Sequence, residues 1–170
     1  MCCLGHPLTL AGVYGPPRRL VTDTTVLVCE AAANASAEAE GRLRFVLLST
    51  AGVDNPVGHE QGVRSPAERA LLAVLAAALP PYADSVQATD RVAKSPLCRR
   101  GVEWVVLRPD DFAEGPAPPG GYLALASPNS LFNAKTTHIA SIGDFAADLL
   151  ISDAMWKRWR GRMPYLIDAE

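Results

Sequence analysis

Apolar positions along this chain of 170 residues fall into two kinds of run. Leu43 to Leu48 (Leu-Arg-Phe-Val-Leu-Leu) and Val102 to Leu107 (Val-Glu-Trp-Val-Val-Leu) are short and nearly continuous. Such runs suit strands of a parallel sheet buried on both faces. Elsewhere apolar residues recur three and four apart, as one face of a helix requires. Leu20, Val21, Leu27, Val28, Ala31 and Ala32 keep that spacing and predict a helix over 18 to about 39, with Pro16-Pro17 where a helix can start and Gly41 where it stops. Ser65-Pro66-Ala67-Glu68 is a capping box with proline at the first helical position, predicting a helix over 66–79. Asp84 reads as the cap of a further helix to about Lys94. Helices are also expected over Asp144 to about Ile151 and around Trp156 and Trp159, with a last edge strand over Pro164 to Ile167. Met1 to Leu4 read as the last turn of a buried strand, and Gly5-His6-Pro7 as the loop after it.

Strands alternating with helices predict an α/β fold, a three-layer sandwich around a parallel sheet, as a single domain over 1–170. In such sheets ligands sit beyond the carboxyl ends of the strands, so Leu4 to His6, Ser49 to Gly52 and Arg108 to Phe112 are the loops of interest. Segment 110–138, rich in Gly, Pro, Ser and Asn, is too long for an ordinary connection and suits a substrate-side excursion. Sixteen Lys and Arg against eighteen Asp and Glu give a net charge of -2, without the basic stripe that phosphate-backbone binding needs, so no nucleic-acid partner is expected. No apolar run approaches the roughly 20 residues that span a bilayer. The first residues lack the basic and apolar regions of a signal peptide, so the expectation is a cytoplasmic protein with no membrane partner. Cys2, Cys3, Cys29 and Cys98 show no CxxC spacing, and reduced thiols are expected. Cys2, Cys3 and His6 fall short of the four ligands of a zinc site, and no metal is expected.

Several of these segments, taken in order, resemble a known family. Cys3-Leu4-Gly5-His6, Gly15-Pro16-Pro17, Ser49 to Asn55, Glu68-Arg69, Pro80-Pro81, Glu103-Trp104, Arg108-Pro109-Asp110, Ile142 to Ala146 and Trp159-Arg160-Gly161 follow the order seen in atypical short-chain dehydrogenase/reductases related to the NmrA-like group. The resemblance implies a partial Rossmann-like sandwich of oxidoreductase ancestry, an NAD(P) cofactor with NADP preferred, and a small-molecule substrate that it does not identify. Two departures stand out. The family's glycine-rich phosphate loop has no counterpart, since Gly12-Val13-Tyr14-Gly15 precedes two prolines and reads as a tight turn. The chain resembles a family member beginning inside the fourth strand, which leaves a sheet edge open to self-association. The second departure is the absence of Tyr-x-x-x-Lys. Counting back from Glu68, the corresponding positions hold Arg64 and Glu60, and a carboxylate cannot replace a phenol as proton donor near pH 7 without a large pKa shift. A non-catalytic redox sensor or interaction module, or a truncated inactive product, are therefore the alternatives to an enzyme.

The residues that the resemblance assigns to the cofactor are Leu4, Gly5, His6, Ser49, Thr50, Ala51, Arg108 and Pro109. Ser49 and Thr50 are also the candidates for catalysis. Each has a competing structural role. His6 either touches the ribose or nicotinamide or bonds to the backbone. Ser49 and Thr50 either bond to substrate or to the carboxamide, or cap the following turn. Arg108 either pairs with a ligand or ties strand to loop. A hydrolase triad of Ser49, His138 and Asp144 can be drawn, although Ser49 is not in a G-x-S-x-G elbow. Trp104, Trp156 and Trp159 read as packing residues.

Overall fold

A computed structural model describes residues 1–7, 9–36, 41–58 and 64–169. The two apolar runs form strands β1 (Leu43–Leu48) and β2 (Val102–Pro109), paired in parallel from Leu43 opposite Val102 to Leu48 opposite Leu107. Alternation then sends their side chains to two cores. Phe45, Leu47, Trp104 and Val106 meet the helices α2 (Leu20–Ser36), α4 (Pro80–Lys94) and α5 (Pro96–Gly101) through Val21, Cys29, Val92 and Cys98. On the opposite face Val46, Val105 and Leu107 meet α6 (Ile139–Ile151) and α7 (Asp153–Trp159) through Phe145, Leu149, Trp156 and Trp159. The result is the expected three-layer α/β sandwich around a mainly parallel sheet.

The sheet order is β1-β2-β6-β4, with β6 (Tyr165–Asp168) parallel to β2 and β4 (Tyr122–Leu125) antiparallel to β6. The last strand is therefore interior, because the segment 110–138 returns β4 to cover it. Two further pieces of that segment, β3 (Asp111–Ala113) and β5 (Thr136–His138), make a small parallel sheet.

Helix α3 (Pro66–Ala78) has both halves of the capping box that its sequence announces. Other expectations are corrected. Helix α4 starts at Pro80 rather than at Asp84, since prolines lacking an N–H are tolerated in a first turn. Helix α6 starts at Ile139, five residues before Asp144. Gly12 to Tyr14 lie in a short helix, α1 (Leu10–Tyr14), that ends at Gly15. The helix read over 18–39 spans Leu20–Ser36, residues 37–40 lying outside the described residues. Met1 to Leu4 give one bridge, Cys2 to Leu47, and are not buried. Reduced thiols hold for Cys2 and Cys3 only. Cys29 of α2 and Cys98 of α5 form a disulfide with their Cα atoms 4.8 Å apart, because the packing of the two helices joins positions 69 residues apart that no spacing rule connects. No single described helix is long and apolar enough to cross a membrane.

Candidate functional site at the carboxyl rim

Parallel pairing puts the ends of β1 and β2 on one rim and fastens their loops together. The Ser49 N–H donates to the Leu107 carbonyl at 2.8 Å, and the Ala51 N–H to the Pro109 carbonyl at 3.0 Å. Ser49, Thr50, Ala51, Arg108 and Pro109 are thus neighbours. Because Cys2 runs parallel to Leu47, the chain leaves toward the same rim through Leu4 and Gly5, both exposed.

Several of these groups are already engaged. The Arg108 side chain is fully buried, its Nε donating to the Met163 carbonyl at 2.9 Å and its Nη1 to that of Val53 at 3.3 Å, so it ties the β1 loop to the entry of β6. The Ser49 hydroxyl is buried 3.5 Å from that of Thr89. Thr50 is half-buried at the rim. Arg64 is almost wholly buried, with Nε 3.0 Å from Asp54, Nη2 on the Ala51 carbonyl, and Nη1 without a hydrogen-bond partner among the described residues. Glu60, the other position singled out with Arg64, lies outside the described residues.

The ring of His6 is buried against Asp84, with Nε2 3.0 Å from the carboxylate. Asp84 also accepts the N–H groups of Val21 and Thr22 at 2.8 and 2.9 Å, so it caps the first turn of α2 from another helix. Burial pushes the Asp84 carboxyl up, and the hydrogen bonds from Thr22, His6 and Val21 outweigh it and hold it below the ordinary range. Glu68 behaves similarly at α3. Backbone N–H groups of Ser65 and Leu131, at 2.8 and 2.7 Å, hold its carboxyl down to about 2 and fasten residues 130–131 to the helix.

One constellation has no sequence signal. His138, at the start of α6, puts Nδ1 2.7 Å from Asp168 at the end of β6, and Asp168 also accepts the Ser141 hydroxyl at 2.7 Å. Burial would raise the Asp168 carboxyl, but the bonds from His138 and Ser141 keep it below its usual value, so it is ionised and accepts a hydrogen bond from Nδ1–H. Nε2 is then free to accept a proton or, on the imidazolium, to give one. The ring lies beside Gly115, whose φ of 119° suits glycine alone and where a Cβ would stand 3.9 Å from Nε2. In the triad drawn from the sequence, His138 therefore pairs with Asp168 instead of Asp144, and Ser49 faces Thr89.

A dinucleotide needs donors for its pyrophosphate, usually at an open helix N-terminus. The first turns of α2 and α3 are filled by Asp84 and Glu68, and Asp168 stands at the start of α6. These residues do not fit a pyrophosphate. The rim itself holds the half-buried Thr50 beside the two fastened loops.

No family model and no curated protein matches the chain. Solved structures do. ChuY, an anaerobillin reductase from Escherichia coli O157:H7, is 14% identical with a TM-score of 0.53, covering 86% of this chain and 60% of its own. The oxidoreductase ylbE from Lactococcus lactis is 18% identical at a TM-score of 0.54, over 92% and 58%. A short-chain dehydrogenase/reductase (wide type) from Veillonella parvula, solved in complex with NADP, is 15% identical at 0.52, over 82% and 57%. The chain thus shares their fold and spans about three fifths of their length.

Proposed function

We propose that this chain is an NAD(P)-binding Rossmann-type protein of oxidoreductase ancestry, holding the nicotinamide side of the dinucleotide at the carboxyl rim with an incomplete pyrophosphate site. The observation that carries the reading is the rim itself, where the Ser49–Ala51 and Arg108–Pro109 loops are hydrogen-bonded side by side on a fold shared with reductases, one of them solved with NADP. Thr50 and the exposed backbone around Leu4 and Gly5 supply polar contacts. Ser49, His6 and Arg108 hold those loops in place. His138, oriented through Nδ1 by Asp168, presents Nε2 on the substrate side of the same rim.

The experiment is titration of the chain with NADPH and NADH, followed by nicotinamide fluorescence. The expected outcome is saturable binding weaker than about 1 μM, with NADPH preferred, because first-turn N–H groups of α2 and α3 are already engaged by Asp84 and Ser65. A dissociation constant of about 1 μM or tighter would overturn the incomplete site, and no saturation by about 1 mM would overturn dinucleotide binding altogether. A second reading, a non-catalytic interaction module, is favoured by the carboxylates in the first turns of α2 and α3. Turnover of any member of a carbonyl panel with bound NADPH would exclude it.

A further inference from the structure

At the opposite end of the sheet, where β1 and β2 begin, lies a cleft of about 250 Å³ lined by Arg42, Arg99, Arg160, Glu103, Trp104 and Gly161. We propose that it binds a small, multiply charged anion of the phosphate class. Among the described residues three guanidinium groups face one carboxylate there, an excess of positive charge in a chain whose net charge is -2.

Glu103 cannot absorb that excess. Its Oε1 is shared between Arg160 at 3.0 Å and Arg42 at 3.4 Å, and its Oε2 accepts the Trp156 indole N–H at 2.7 Å. That indole bond, followed by the two arginines, holds the Glu103 carboxyl below its ordinary range, so it stays ionised and fixed. Arg42 is held over the cleft through Nη1, which donates to the Arg99 carbonyl at 3.3 Å. The Arg99 guanidinium has no protein partner among the described residues.

The ordinary reading of such arginines is that they complement the negative end of a helix, and the place of Arg99 in the last turn of α5 satisfies it. It does not account for Arg42, which precedes β1, or for Arg160, which follows α7, converging on the same cleft. Trp104, largely buried, gives the cleft an apolar wall, and less water there screens the charges less. At Gly161, with φ of 71°, an added Cβ would meet nothing within 4 Å, so the backbone borders open space. A phosphate offers several acceptor oxygens and two charges, the match for guanidinium forks. Inorganic pyrophosphate and a phosphate monoester share that chemistry.

Calorimetric titration of the full chain with inorganic pyrophosphate and with glycerol phosphate tests this. Saturable one-to-one binding that weakens with salt is expected. R99Q and R42Q should each weaken it by about tenfold or more, as loss of a charge-assisted bond implies. Both residues are exposed, so circular dichroism should show the variants folded like the parent. R158Q removes a charge that stacks on Trp159 outside the cleft and should leave binding unchanged. Absence of saturable binding of either probe by about 10 mM, or equal binding by R99Q and the parent chain, would overturn the proposal. The nicotinamide titration reads the opposite rim, so either reading can fail alone.

Discussion

A single carboxylate far along the chain determines how the N-terminal region is held. Asp84, in the second turn of α4, serves α2 as a local cap would, receiving two backbone N–H groups and the His6 imidazole in a site from which water is excluded. Replacing it by asparagine keeps the volume and removes the charge that makes these bonds strong. D84N is expected to cost about 1.5–3 kcal/mol, read as a lowered urea midpoint with unchanged slope at pH 7. The folded carboxyl titrates below its ordinary range, so its stabilisation is complete above the unfolded value of about 3.9 and is lost as pH falls through the lower folded value. The gap between parent and D84N should therefore close as pH falls below about 4. A gap that widens below about pH 4 would mean that the carboxylate is not the stabilising species.

At the scale of elements, what could be read in advance was what neighbours in sequence determine. The limits of β1 at Leu43 and Leu48 follow from an apolar run with polar ends, and α3 from a cap and its reciprocal partner three residues on. The start of α4 was hidden because Leu79 supplies no side-chain cap and Pro80-Pro81 look locally like a stop. The fastened loops at the rim followed from strand direction. His138 and Asp168 did not, since they stand thirty positions apart with α6 and α7 between them. A longer separation, 69 residues, concealed the bond between Cys29 and Cys98. Closing a loop of that size restricts the unfolded chain, and its loss should lower stability by about 4 kcal/mol in the chain-entropy account. Urea unfolding with and without dithiothreitol, with C98S as the genetic equivalent, measures it. Equal midpoints in all three would show that α2 and α5 are held by packing alone.

For the whole molecule the open side of the sheet is the dominant fact. Beyond the single bridge from Cys2, no described strand pairs with the outer edge of β1, and a largely apolar groove of about 560 Å³ runs beside it, lined by Met1 to Leu4, Thr24, Val28 and Leu43 to Phe45. Unpaired backbone groups next to apolar side chains are a template for another strand, and the end of β1 here carries neither lysine nor proline to discourage it. A second copy of the chain is the proposed occupant, edge against edge. Sedimentation equilibrium across a hundredfold range of concentration should show a mass that rises with concentration. The measurement is made with Cys3 replaced by serine, because the exposed Cys3 would otherwise link copies covalently and a reductant would also open the Cys29–Cys98 bond. L43K puts a charge on the edge at a position half-exposed in the single chain, so it should leave the fold intact and shift the equilibrium toward monomer. A parent chain that stays monomeric over the whole range would sink the proposal, as would an L43K chain that associates as strongly as the parent, since either result takes the edge out of the contact.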